Sequence, residues 1–98
     1  MTARVIRSLA RSADRLASTA AFAAASVSAR ARGAAGPAAR QEAIYLAVTV
    51  FGRPLRSVAR VAGISAPGAL KAVRAVEDRR EDPRFDRVLD ELELELLG

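Results

Sequence analysis

The spacing of glycine and proline constrains this chain more than any other feature. Neither residue occurs between Thr2 and Ala31. After that they fall in clusters: Gly33, Gly36 and Pro37, then Gly52 and Pro54, then Gly63, Pro67 and Gly68, then Pro83. Glycine is too free to hold a helix and proline lacks the N–H that a helix interior needs, so the clusters mark helix ends. Between them good helix formers dominate and apolar residues recur every three or four positions. The reading is an all-α fold, a small helical bundle of about five helices, with no strand and no internal repeat.

The first helix runs from Thr2 to about Ala31. On a helical wheel Arg4, Arg7, Arg11 and Arg15 fall within an arc of about 80°. Val5, Ile6, Leu9, Ala13, Leu16 and Ala20 occupy the other side, the side expected to pack on the domain while the arginines stay in water. Three functional readings of the stripe stand beside that one: a membrane-surface helix, a partner-binding helix and a contact to the DNA backbone. "AAFAAASVSA" resembles a secretory core, but the basic stretch before it is too long and alanine is only mildly apolar. No run is long enough to span a membrane.

The second helix is expected from Ala38 to Phe51, with Ala43, Ile44, Ala47, Val48 and Phe51 apolar and Gly52 at its end. The third starts near Pro54 and turns Leu55, Val58, Ala59 and Ala62 inward. Gly63 makes the turn, and Ser65 caps a fourth helix that runs through Leu70, Val73 and Val76 to about Arg80. Asp82 caps the fifth, with Pro83 in its first position. Phe85, Val88, Leu89, Leu92 and Leu96 form its apolar stripe, with Leu94 left outside it. This divides the chain into a basic amphipathic helix, 1–31, and a helical domain with an acidic last helix, 32–98.

Composition narrows the function. There is no cysteine and no histidine, which removes thiolate chemistry and the commonest general base and metal ligand. Carboxylates cluster only on the last helix. The chain is therefore expected not to be an enzyme, with no catalytic residue, metal or cofactor. Charge is uneven: residues 1–80 carry fourteen basic and four acidic side chains, and residues 81–98 carry two basic and seven acidic ones. A basic body is the electrostatic footprint of a nucleic-acid binder.

Two short helices joined by a glycine turn are a helix-turn-helix signature. The segment "ARQEAIYLAVTVFGRPLRSVARVAGISAPGALKAVRAVE", Ala39 to Glu77, resembles the C-terminal DNA-binding domain of the bacterial replication initiator DnaA, a Trp-repressor-like fold. Arg40, Gln41, Ala43, Tyr45, Leu46, Ala47, Gly52, Leu55, Gly63 and Ala72 carry the likeness, and "EDPRFDRVLDELE" is similar to the family's last helix. No Walker phosphate loop is present, so the resemblance is to that domain standing without its ATPase.

The resemblance implies double-stranded DNA as partner and Arg30, Arg32, Arg40, Gln41, Arg56, Ser65, Ala66, Pro67, Gly68, Lys71 and Arg74 as the contacting residues. Arg32 lies where the family has a basic arm for the minor groove, and Lys71 and Arg74 where it meets phosphates. Where the family carries Arg-Asp-His-Thr-Thr, this chain has Ile64, Ser65, Ala66, Pro67 and Gly68. That exchange predicts loss of the family's own DNA box and a sequence-tolerant grip, with the bare helix N-terminus offering N–H groups to a phosphate. The resulting expectation is a bacterial, nucleoid-associated transcription regulator in the cytoplasm. It would act as an activator or co-activator with a companion activator or RNA polymerase, as DnaA-like activators of phage-like gene-transfer-agent clusters do. The alternatives are a replication regulator that competes with DnaA at the origin, and a protein-interaction adaptor that has lost DNA binding.

Overall fold

The structure is a computed structural model and describes residues 2–98. It is all-helical, and no strand occurs among the described residues. The elements are α1 (Ala3–Ala31), α2 (Gly36–Thr49), α3 (Leu55–Ala62), α4 (Ala66–Arg79) and α5 (Pro83–Leu97). Each agrees with the expected helix to within two residues. The largest shift is at α2, which starts at Gly36 because Pro37 sits in its first turn and does not belong to the break before it.

α2 is the central helix. Every residue from Glu42 to Ala47 is buried, as expected of a helix surrounded by others. α1, α3 and α4 pack around it, with Val58, Ala59, Ala69, Val73 and Val76 filling the space between. α5 docks through Leu89 and Leu92, both buried, with Phe85 and Leu96 partly so.

α1 does not use the face its apolar residues suggest. Val5, Ile6, Leu9, Ala13, Leu16 and Ala20 are all exposed, Leu16 by 71%. The buried residues are Ser18, Ala21, Ala25 and Ala29, which lie in the same angular sector as the arginine stripe. Small side chains let α1 approach α2 and α3 closely, and Arg53 fixes the depth. Its Nε donates to Ser18 Oγ at 3.0 Å, and its Nη2 pairs with Asp14 Oδ1. Ser57 Oγ donates to Asp14 Oδ2 at 2.8 Å. The second half of α1 is thus part of the core. Only the first three turns or so project beyond it.

Candidate nucleic-acid interface

α3 and α4 are joined by the three residues Gly63 to Ser65. Gly63 has φ +74°, a left-handed conformation that a side chain resists. Ile64 N donates to Ala59 O at 2.9 Å, closing the end of α3. Ser65 then caps α4, its Oγ accepting from Gly68 N at 3.1 Å.

That cap alters the expected anion site. Gly68 N–H is taken by Ser65 Oγ, Ala69 N–H donates to Ser65 O at 3.0 Å, and Pro67 has no N–H. The amides of Gly68 and Ala69 are bonded within the chain, so of the backbone expected to meet a phosphate only the Ala66 N–H is left. The chemistry at this end reduces to the Ala66 N–H, the small side chains of Ala66 and Pro67 and the hydroxyl hydrogen of Ser65.

Beside this helix end lies a groove of about 420 Å³ between α2 and α4. Pro37, Arg40 and Gln41 from α2 line one wall, and Gly68, Lys71 and Ala72 from α4 line the other. The structure therefore brings together four of the expected site residues: Arg40, Gln41, Gly68 and Lys71. Arg40 also borders a second hollow of about 300 Å³, where it meets Arg30, Ser26 and Val61. Its guanidinium Nη2 donates to the Ala62 carbonyl at the end of α3. This bond positions the side chain between the two hollows and leaves further N–H groups for a ligand. Arg74 lies one turn beyond Lys71 on α4 and is exposed, as is Arg56 on α3.

Arg32 is placed elsewhere. Its Nε donates to Glu42 Oε1 at 2.7 Å, and its Nη2 bonds the same oxygen. The Glu42 side chain is fully buried, and Arg79 reaches its Oε2 at 3.5 Å. Both arginines also lie over the Phe85 ring, Arg79 at 4.2 Å and Arg32 at 5.4 Å from the centroid. A buried carboxylate needs a counter-charge, and Arg32 supplies it. Arg32 is a strut that ties the α1–α2 link to the core, and it is not the free arm expected from the sequence.

Arg80, at the C-terminal end of α4, was not among the expected residues and is the main electrostatic junction. Nε reaches Asp86 at 2.6 Å and Nη1 reaches Tyr45 Oη at 3.0 Å, while the remaining N–H groups pair with Asp90 and Glu93. Burial alone would lower its pKa. The bonds to Asp86, Glu93 and Tyr45 together outweigh burial and hold it above the ordinary arginine value. The acidic last helix is thereby turned toward the body of the protein. Its i, i+4, i+7 carboxylate spacing was the available signal.

The charges that remain are distributed unevenly. From Ala43 to Val76 the chain has five basic residues and no Asp or Glu. Of these only Arg53 forms an ion pair among the described residues, with Asp14. Arg56, Arg60, Lys71 and Arg74 are exposed and without an acidic partner. No family model matches the chain, and no curated protein or solved structure is similar enough to it to count as a match. No group of residues among those described is arranged to hold a metal ion, and no helix is long and apolar enough to cross a membrane.

Proposed function

We propose that this protein binds double-stranded DNA through its phosphate backbone, with low base selectivity, and regulates transcription together with a protein partner. α3, the turn and α4 serve as a helix-turn-helix, with α4 directed at the major groove. The resemblance of residues 39–77 to the DnaA DNA-binding domain supports this reading. The observation that carries it is the acid-free span from Ala43 to Val76, which holds α3, the turn and most of α4, with Arg56, Arg60, Lys71 and Arg74 exposed and unpaired. A phosphate backbone is the natural complement of such a surface. The groove edge formed by Arg40, Gln41 and Lys71 adds further donors beside it.

Base selectivity is low because α4 begins with Ala66, Pro67 and Gly68, and Ser65 spends its acceptor on its own helix. Side chains that bond base edges in pairs are missing there, and each is worth about 1–3 kcal/mol of discrimination. The same deficit weighs against competition with DnaA for its box. Regulation then draws its address from a partner bound alongside, by raising effective concentration.

The test is fluorescence anisotropy with duplexes of several unrelated sequences across a salt series. About four phosphate contacts give a slope of log K against log salt near −3.6. Lys71→Ala and Arg74→Ala each flatten it by about one unit on every sequence. Absence of binding at low salt, with and without host protein extract, refutes the reading.

A further inference from the structure

The exposed side of α1 carries a repeat that the fold leaves unused. Ile6, Leu9, Ala13, Leu16, Ala20, Ala23 and Val27 follow a strict four-three spacing, and all seven are exposed. Ile6 is 53%, Leu9 56%, Leu16 71% and Val27 69% accessible. This is the a/d seam of a coiled coil over three heptads. Its flanking positions are Ala10, Ser12, Ala17, Thr19, Ala24 and Ser26, with no charge among them. Every charged residue of this stretch (Arg7, Arg11, Asp14 and Arg15) lies on the opposite side, toward or beside the protomer core.

The side-chain sizes specify the occupant. When two copies of α1 run antiparallel about a two-fold axis between residues 14 and 15, Ile6 faces Ala23 of the second copy. Leu9 then faces its Ala20, and Ala13 its Leu16. The other three layers repeat these by symmetry. Each layer pairs one large with one small side chain, so the seam has even thickness and the helix axes lie close. A parallel pairing sets Ile6 on Ile6 and Ala13 on Ala13, alternating bulk and gap. An acidic or basic partner would find no counter-charge on these flanks.

The area also fits. Residues 6–27 span about 32 Å, and half of the solvent-accessible cylinder around a helix of that length, the most that a second helix could cover, is on the order of 700 Å². Stable interfaces bury roughly 800 Å² per partner. We infer that the chain forms a two-fold antiparallel dimer through the outer face of α1. In this dimer the projecting first turns of each α1 lie on the anchored second half of the other. The interface is isologous, as closed dimers require. It leaves α3 and α4 free and does not depend on DNA binding.

The test is sedimentation equilibrium of the full chain without DNA at micromolar concentrations. The expected mass is that of a dimer. Leu16→Glu places a carboxylate in a seam layer with no counter-charge and raises the dissociation constant about 100-fold or more. Leu9→Glu does the same, and both side chains are exposed in the protomer, so helical circular dichroism is retained. Arg11→Glu, off the seam, leaves the dimer intact. The chain has no cysteine, so spin labels on Arg4→Cys report the direction. Position 4 is on the outer side of each helix, so antiparallel helices hold the two labels about 35 Å apart and parallel ones about 15–20 Å. A monomer at all concentrations, a dimer indifferent to Leu16→Glu, or a short label distance overturns the proposal. So does a monomer that floats with anionic phosphatidylserine vesicles, which would assign the same face to a membrane.

Discussion

Replacing Arg32 by methionine separates its two possible roles. The side chain keeps most of its aliphatic volume and loses its charge. Glu42, wholly buried, then loses both donors on Oε1 and keeps only Arg79 at 3.5 Å on Oε2. Breaking a buried ion pair from one side typically costs about 3–5 kcal/mol. Two features reduce that figure here. Arg79 stays close, and the Arg32 side chain is 23% exposed, so water reaches the vacated position. The expected loss is about 2–4 kcal/mol, against a total stability of roughly 5–10 kcal/mol for a chain of this length. At about 4–8 °C per kcal/mol, Tm falls by on the order of 10–25 °C. Urea unfolding followed by helical circular dichroism measures this as a lower midpoint at unchanged slope. The double variant Arg32→Met/Glu42→Leu recovers most of the loss, because it removes the stranded charge along with its partner. At temperatures where the single variant stays folded, its salt slope for DNA matches that of the parent. A variant with parental stability and weakened DNA binding refutes the argument and returns Arg32 to the minor groove.

Other substitutions test the remaining junctions. Arg80→Met strands Asp86, Asp90 and Glu93, and it speeds amide exchange in α5 by about 10–100-fold while α2 stays protected, the equivalent of roughly 1–3 kcal/mol. Gly63→Ala forces a side chain into a left-handed turn and lowers the urea midpoint by the equivalent of about 1–2 kcal/mol. Ser65→Ala removes the α4 cap, costs about 1 kcal/mol in the same assay, and leaves the ranking of duplex sequences unchanged in anisotropy. A selective loss on one sequence would mean that Ser65 reads a base.

Helix number and boundaries were legible because breaker residues act locally. Gly63, Ser65, Asp82 and Pro83 each do in the structure what their chemistry requires of the nearest few residues. The orientation of α1 was not legible, and the reason is physical. A wheel ranks faces by hydrophobicity, whereas burial in α1 follows size. Ala21, Ala25 and Ala29 go inside because close approach to α2 needs small side chains, Leu16 and Val27 are left on the outer face, and Leu9 lies in the projecting turns where nothing packs. The groove between α2 and α4 was half legible. Arg40, Gln41 and Lys71 were picked out individually, but their meeting across Ile44 and Ile64 depends on how the helices pack.

The arginines show the deeper difficulty. Nothing in the local sequence around Arg32 and Arg53 distinguishes them from Arg56, Arg60 and Arg74, yet these two, like Arg79 and Arg80 in the acid-rich stretch 77–82, are committed to acids and the last three are not. The difference comes from where the acids lie. Asp14, Glu42 and the α5 carboxylates flank an acid-free span in the chain, and folding brings them against Arg53, Arg32 and Arg80. An arginine that folding brings against one of these acids is neutralised, and one that meets none is left to the solvent. A small protein can in this way hold its core together with some guanidinium groups and leave others exposed for a partner. Moving one acid into the span tests this division: Ala75→Glu, beside Lys71 on α4 at a half-buried groove edge, should depress DNA affinity on every sequence, with circular dichroism checking that the fold is kept. If affinity is insensitive to that charge, the positive face is not the one that meets the phosphates.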